Sequence, residues 1–328
     1  MVKHRDISID IVKFLAVFLI INSHADIMYA KYASLATGGA IGDALFLFCS
    51  GYTLFWSGTK RFDNWYKRRI SRIYPSVIAC LGIAIIFGYE YIDKLTYIKI
   101  GGGEFVIAIM VYYILLYGVQ RYCMRHFKWV VAALVVATLV AYWFFPYKYE
   151  TSSKGIYGIT TLFRWIPYFG MMLMGAWIGL KVKNSVMNVR TRWTDGLLLL
   201  GCIGIFYGIQ LLSKRYVTIA SWQIVTLPFL AGIVYYIWKL CNAKCLRRIY
   251  ENKFCNKTIM LIGGLCLESY LIQRYLFTDA LNQIFPLNLP IITAYILLMA
   301  YICRCVARAF SQTFRTEEYE WSKVFSLK

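Results

Sequence analysis

The stretch that decides the fold is residues 104–145, EFVIAIMVYYILLYGVQRYCMRHFKWVVAALVVATLVAYWFF, in which two apolar segments flank a short basic connection. A helix needs roughly 20 mostly apolar residues to cross the hydrocarbon core of a bilayer. The segments 104–121 and 128–145 are close to that length; Arg121 and Lys128 stand at their facing ends, and Arg125 lies between them. This pattern predicts two membrane-spanning helices joined by a charged loop.

The same pattern recurs along the chain. Of all residues, 60% are hydrophobic and only 16% are charged, whereas soluble domains carry about 25% charged residues. Lipid offers no partner to unpaired backbone groups, so each span should be a helix. The sequence predicts an all-α, polytopic membrane helix bundle that forms one domain over residues 1–328, with no attached soluble domain. We place its ten spans at 9–27, 40–57, 75–90, 104–121, 128–145, 160–180, 195–212, 220–239, 258–277 and 288–308.

Lysine and arginine are concentrated in alternate connections. Most of the 36 lie in the N-terminus, in loops 58–74, 121–128, 181–194 and 239–257, and in the tail from Arg304. By the positive-inside rule, both termini are expected in the cytoplasm, and the net charge of +20 reflects topology and not nucleic-acid binding. The intervening loops hold only Lys31, Lys94, Lys99, Lys148, Lys154, Lys214 and Arg215.

Two further features narrow the class of protein. The first apolar segment contains Asp10 and Lys13 and has no small-residue cleavage site, which argues against a cleavable signal peptide. The ten cysteines follow no disulfide spacing. Cys241, Cys245 and Cys255 share one basic loop without a C-x-x-C pair, so no metal site is predicted.

The first span carries the polar residues Asp10, Lys13, Asn22 and His24. Lys13 and His24 are eleven residues apart, which places them on one helix face about 16 Å apart. Imidazole is suited to proton transfer near neutral pH, so His24 is a candidate general base. Simpler interpretations stay open: Lys13 snorkels to the interface with Asp10 as its ion-pair partner, and His24 is an ordinary interfacial histidine.

Other charges also lie within or at the ends of spans, where they are costly and usually face a polar interior. Arg164 and Arg274 fall near the outer ends of their spans, Asp43 opens the second span at that level, and Glu268 lies mid-span. We interpret these charges as part of a polar acceptor site. Snorkelling remains the alternative for either arginine, but it cannot reach water from the position of Glu268.

The densest basic run, KRFDNWYKRRISRIYP at residues 60–75, precedes the third span on the predicted cytoplasmic side. Arg69 and Arg72 share one face if the run is helical, and two such guanidiniums make a good phosphate clamp. An anchor for anionic lipids is the alternative. Walker and Rossmann loops are absent from the sequence, and Gly101-Gly102-Gly103 is predicted to form a turn.

Three short motifs carry a family resemblance. His24 follows Lys13 after ten residues, residues 46–52 read FLFCSGY, and residues 67–75 read KRRISRIYP. Their order and spacing resemble the membrane acyltransferase family 3, the bacterial O-acyltransferases that modify surface polysaccharides. The coarse resemblance covers essentially the whole chain. Residues 164–175 and SYLIQ at 269–273 are similar to looser family motifs, with Gln273 where the family often has histidine.

The resemblance implies a bacterial cytoplasmic-membrane enzyme that takes an acyl group, most often acetyl, from cytoplasmic acyl-CoA. The acceptor would be a hydroxyl of a cell-surface or lipid-linked glycan at the outer face. Direct attack on the thioester and relay through an acylated Ser50 or Tyr52 both stay open. The expected roles are catalysis by His24, Lys13 and Asp10, donor binding by Arg69, Arg72, Arg68 and Ser50, and acceptor binding by Arg164, Arg274, Glu268, Asn22 and Asp43.

Two rival functions remain. A transporter or flippase for a glycan or lipid-linked sugar would suit the intramembrane charges equally well, although no two-fold internal repeat is visible. A structural or assembly subunit is the other. The partners expected are acyl-CoA, the glycan acceptor and membrane lipids, with no nucleic acid and no metal; a homodimer is left open.

Overall fold

A computed structural model describes residues 6–55, 61–144, 155–158, 162–187, 189–314 and 317–327, and every regular element within them is helical. Lys148 and Lys154 of the charge pattern, and Lys60 of the basic run, lie outside the described residues. The α-helices are α1 (Ile7–Ser23), α2 (Gly39–Leu54), α3 (Phe62–Ile86), α4 (Tyr97–Ile100), α5 (Glu104–Gly118), α6 (Phe127–Phe144), α7 (Trp165–Lys183), α8 (Trp193–Arg215), α9 (Val217–Ala220), α10 (Thr226–Leu240), α11 (Lys244–Glu251), α12 (Lys253–Gly264), α13 (Cys266–Gln273), α14 (Asn288–Thr313) and α15 (Trp321–Val324).

Within the described residues, six helical segments are long and apolar enough to cross a membrane: Lys31–Leu54, Phe62–Ile86, Glu104–Phe144, Trp193–Arg215, Gln223–Leu240 and Asn288–Thr313. The all-helical membrane class is therefore confirmed. The segment Glu104–Phe144 covers two predicted spans, 104–121 and 128–145. The predicted spans 9–27, 160–180 and 258–277 are not among the six segments. Helix α1 has only 17 residues, and the segment at 258–277 is divided between α12 and α13. The count of ten and the orientation of the termini stay predictions.

The expectation that residues 58–74 form a loop is wrong for the described part of that range. Helix α3 begins at Phe62, runs through Pro75 and ends at Ile86. The proline ring removes one helical hydrogen bond, the one to the carbonyl of Ser71, but the flanking basic residues are good helix formers. Arg69 and Arg72 are therefore helical residues, one turn apart on the same face.

The expected loop at 121–128 is also helical. A π-helical turn, Val119–Cys123, follows α5 directly, and a short 3-10 helix, Met124–His126, leads into α6. Cys123 departs from helical geometry, with φ −113° and ψ 5°. The basic residues between the two apolar stretches thus lie on helical turns and not in an extended loop.

The chain forms two compact units built from interleaved segments. The first unit comprises Met1–Val12, Ala40–Thr59 and Leu115–Asn252, and the second comprises Lys13–Gly39, Lys60–Ile114 and Lys253–Lys328. Helices α1 and α5 are each divided between the two units. A single domain over residues 1–328 remains a prediction.

In the first unit, α2 packs tightly on α7 through glycines. A Cβ added to Gly51 would lie 1.9 Å from the carbonyl oxygen of Met172, and one added to Gly175 would lie 2.0 Å from that of Phe48. Gly175 and Gly179 form a small-xxx-small pattern, which lets membrane helices approach closely. Gly51 of the FLFCSGY motif therefore has a packing role.

In the second unit, α3, α13 and α14 pack against one another. Gly102 and Gly103 have φ of +88° and +92°, which confirms the predicted glycine turn between α4 and α5. The segment Asp26–Leu35, a 3-10 helix after α1, rests on the chain before α14. There Asn288 Nδ2 donates to the carbonyl oxygen of Met28 at 2.8 Å.

Candidate active site

His24 is the first residue beyond α1, not a residue within the helix as the sequence suggested. Its backbone N–H donates to the carbonyl oxygen of Ile21 at 3.2 Å, and the side chain is half-buried. Lys13, three turns earlier on the same helix, is also half-buried and makes no hydrogen bond or ion pair among the described residues. Lys13 and His24 therefore both belong to the second unit. Lys13 is the first residue of α1 in that unit, and His24 directly follows the end of the helix.

Asn22 has its side-chain amide fully engaged. Its Nδ2 donates to the carbonyl oxygens of Leu35 and Thr37, each at 2.9 Å, and its Oδ1 accepts from the Tyr29 hydroxyl at 2.6 Å. These bonds tie both ends of the segment after His24 back to α1. The geometry gives Asn22 a positioning task, whereas the sequence suggested a contact to the acceptor.

The three arginines of α3 have different surroundings. Arg69 is half-buried, with its guanidinium 5.2 Å from the ring centroid of Trp65 and its Nε buried without a hydrogen-bond partner. Arg72 is exposed and makes no hydrogen bond among the described residues. Arg68 is exposed, and its Nε donates to the carbonyl oxygen of Asn64 at 3.1 Å. Arg69 and Arg72 are thus the two guanidiniums available on one face.

That face continues toward the middle of α3 as a polar stripe. Ser76 and Cys80 follow Arg72 at four-residue intervals, so they share its side of the helix. The Ser76 hydroxyl donates to Glu268 Oε1 at 2.8 Å, and both residues are buried. Glu268 Oε2 is buried without a hydrogen-bond partner within the described chain. The mid-span carboxylate predicted from sequence therefore faces α3 with one oxygen still available.

Arg274 belongs to a second charged cluster of this unit. Its guanidinium stacks on the ring of Tyr275 at 4.5 Å and donates to the Tyr275 hydroxyl, which in turn donates to Glu90 Oε2 at 3.4 Å. Glu90 also pairs with Lys99 at 2.9 Å, and this hydrogen bond is the main cause of a lowered pKa at Glu90. Sequence reasoning missed Glu90, although Lys94 and Lys99 in the residues that follow it indicate a need for a counter-charge.

The remaining predicted residues belong to the first unit. Asp10 is buried and accepts a hydrogen bond from the Tyr250 hydroxyl at 2.7 Å. Asp43 and Arg164 attract each other electrostatically, and Arg164 Nη1 donates to the carbonyl oxygen of Tyr157 at 3.3 Å. Ser50 lies on α2 next to Gly51.

Tyr52, the other relay candidate, is buried in an aromatic cluster with Phe48 and Trp238, and its hydroxyl donates to Asp6. This position favours a packing role for Tyr52 over an acyl relay.

Eight of the predicted site residues belong to the second unit: His24, Lys13, Asn22, Arg68, Arg69, Arg72, Glu268 and Arg274. A cavity of about 400 Å³ in the first unit contains none of the predicted site residues; it is lined by Met187, Val189, Arg190, Arg192, Tyr235 and Lys239. The described residues contain no group of three or more His, Cys, Asp or Glu side chains arranged to hold a metal ion.

Comparison with known proteins gives one match. No curated protein and no solved structure matches the chain. A family model described as an acyltransferase domain matches residues 6–307, which span almost the entire sequence and all three motifs. The chain therefore belongs to the membrane acyltransferase family 3 and is a multi-pass membrane acyltransferase.

Proposed function

We propose that this acyltransferase moves an acetyl group from cytoplasmic acetyl-CoA to a hydroxyl of a surface or lipid-linked glycan. The reaction would take place in the bacterial cytoplasmic membrane, with both termini inside and the acceptor at the outer face. The observation that carries the proposal is that two available guanidiniums on one face of α3 share a compact unit with His24.

The arginine pair of α3 supports a phosphate-bearing donor. Arg69 is oriented by its stacking on Trp65, so less conformational freedom is lost when it binds an anion. Its buried Nε lacks an acceptor, which a phosphate oxygen would supply through a charge-assisted hydrogen bond. Arg72 lies one turn away and can contact a second phosphate oxygen. Coenzyme A carries three phosphate groups, and its flexible pantetheine arm would extend past Lys13 toward His24.

The group transfer needs one base and no redox step. His24 takes the proton from the acceptor hydroxyl as its oxygen attacks the thioester carbonyl. The C–S bond then breaks, and the thiolate of CoA leaves and takes up the proton. Arg274, stacked on Tyr275, offers a charged hydrogen-bond donor to the glycan. The roles assigned from sequence to Asp10, Ser50, Asp43 and Arg164 stay predictions.

A transfer assay in proteoliposomes tests the base assignment. With labelled acetyl-CoA and a crude glycan acceptor, His24→Ala should reduce labelled product by about 10²- to 10⁴-fold. Its affinity for acetyl-CoA should stay within about twofold of the wild type, because His24 is not needed for donor binding. His126→Ala is the matched control, since His126 is exposed on the 3-10 helix before α6.

Two results would contradict the proposal. Transfer retained by His24→Ala would remove the base, and a donor affinity lost together with transfer would make His24 a binding residue. Movement of unmodified glycan across the membrane without labelled product would favour the transporter.

A further inference from the structure

The side chain of Arg304, on α14, lies against the glycine that ends α12. Helix α12 ends at Gly264, and a Cβ added there would lie 2.7 Å from Nη2 and 2.9 Å from Nη1 of Arg304. The guanidinium therefore rests against bare backbone at the break between α12 and α13. Any larger residue at position 264 would displace it.

The charge of Arg304 is incompletely compensated. Its Nη1 is buried and has no hydrogen-bond partner among the described residues. The guanidinium interacts electrostatically with Glu268, Arg308, Arg72 and Cys305, of which only Glu268 is a carboxylate. Glu268 gives one oxygen to Ser76 and makes no ion pair with Arg304 within the described part of the chain. Buried charged groups normally have a partner, so this arrangement favours an anion from outside the chain.

The packing brings this guanidinium to the arginines of α3. Helices α3 and α14 pack directly, and Arg72 and Arg304 lie close enough to repel each other. Arg69, one turn before Arg72, has its own buried nitrogen without an acceptor. Arg72 thus lies between two buried donors without acceptors, one turn from Arg69 on α3 and within electrostatic range of Arg304. A ligand that bears several phosphate oxygens satisfies all three.

We propose that Arg304 is a third binding residue for the phosphates of the donor, acting with Arg69 and Arg72, and that Gly264 provides the room its guanidinium needs. The identification of the ligand as acyl-CoA rests on the proposed function, whereas the anion site itself does not. A phosphate of an anionic lipid headgroup has the same chemistry, so the test separates the two sources.

The test measures binding of CoA and of inorganic pyrophosphate to the detergent-purified full-length protein by calorimetry. Arg304→Gln should weaken both ligands by about 10- to 100-fold, as expected for one charge-assisted hydrogen bond. Gly264→Ala should weaken them in the same direction without removing any charge. Arg308→Gln is the charge-matched control: its Nη1 donates to the carbonyl oxygens of Lys323 and Val324, each at 3.3 Å, so binding should stay within about twofold of the wild type.

Four other results would overturn the role of Arg304, reject the anion site or identify a different ligand. Unchanged binding in a folded Arg304→Gln variant, with binding lost in the Arg69→Ala, Arg72→Ala double variant, would overturn the role of Arg304 and leave the proposed function intact. Pyrophosphate binding that depends on Arg304, without CoA binding, would keep the anion site and reject acyl-CoA. Wild-type protein that binds neither probe would overturn the anion site. Displacement of pyrophosphate in nanodiscs that contain phosphatidylglycerol, but not in those of phosphatidylcholine alone, would identify a lipid site.

Discussion

At the scale of single residues, Asn22 lies two positions before the candidate base His24 and holds the following chain in place with its side chain. The amide of Asn22 makes three hydrogen bonds to the segment after His24, so its removal leaves two backbone carbonyls and the Tyr29 hydroxyl without that partner. Asn22, two residues before the candidate base, therefore fixes the path of the chain that follows His24.

We expect Asn22→Ala to lower the free energy of unfolding by about 1–3 kcal/mol, because three hydrogen bonds, each of which contributes about 0.5–1.5 kcal/mol, are lost. Thermal unfolding in detergent measures this loss, with acetyl transfer followed in parallel. Asn184→Ala, at an exposed position after α7, is the control and should leave both unchanged. Transfer that falls while thermal stability is kept would instead support the contact to the acceptor inferred from sequence.

The arginines of α3 and α14 were only partly predictable from the sequence. The spacing of Arg69 and Arg72 predicts their shared face, and charge rules single out Glu268. Sequence cannot distinguish Arg68 from Arg69, because the difference arises from stacking on Trp65 within the folded unit. It also assigned Arg304 to the cytoplasmic tail, although this residue falls inside the predicted span 288–308. The Gly263-Gly264 pair is a local signal for the break between α12 and α13, but the position of Arg304 against it depends on tertiary packing.

At the scale of helices, the contact of α2 with α7 depends on the absence of side chains. We expect Gly51→Ala and Gly175→Ala to destabilise the protein by several kcal/mol, since each Cβ would overlap a backbone carbonyl that cannot move away on its own. Gly204→Ala on α8, where an added Cβ meets nothing within 4 Å, is the matched control and should unfold at or above the wild-type temperature. Equal melting temperatures for all three variants would contradict this account of the FLFCSGY motif.

Helix boundaries were less predictable than helix positions. Apolar content identifies where a span lies, but the first half of α3 is rich in basic residues and is followed by Pro75, so hydropathy does not indicate that it is helical. Its helicity follows from the helix propensity of the basic residues and from packing in the second unit. The division of residues 258–277 into α12 and α13 likewise escapes a hydropathy reading.

For the whole molecule, the alternation of basic connections predicts that both termini face the cytoplasm. We expect a fluorescent protein fused after Lys328 to be bright, and alkaline phosphatase fused after Lys94 to be active, because the loop that holds Lys94 and Lys99 should lie outside. Phosphatase fused after Arg190 should be inactive. A dark C-terminal fusion or an active Arg190 fusion would contradict the predicted topology.

The distribution of apolar and basic residues thus predicts a helical membrane protein and a testable topology, because lipid requires every span to be an apolar helix. It does not specify the two interleaved units, since these depend on which helices pack together. The same holds for the candidate site. The motifs predict the chemistry of His24, Arg69 and Arg72, whereas the packing of the helices determines which of these residues belong to the same unit.

Binding of acetyl-CoA to the detergent-purified protein tests the central claim most directly, with the wild type compared with the Arg69→Ala, Arg72→Ala double variant. We predict saturable binding by the wild type and a loss of at least about 100-fold in the variant, as expected when two charge-assisted contacts are removed. Thermal unfolding of both proteins verifies that they are folded. Folded wild-type protein that fails to bind acetyl-CoA, or a folded variant that binds it equally well, would contradict an acyl-CoA site on α3.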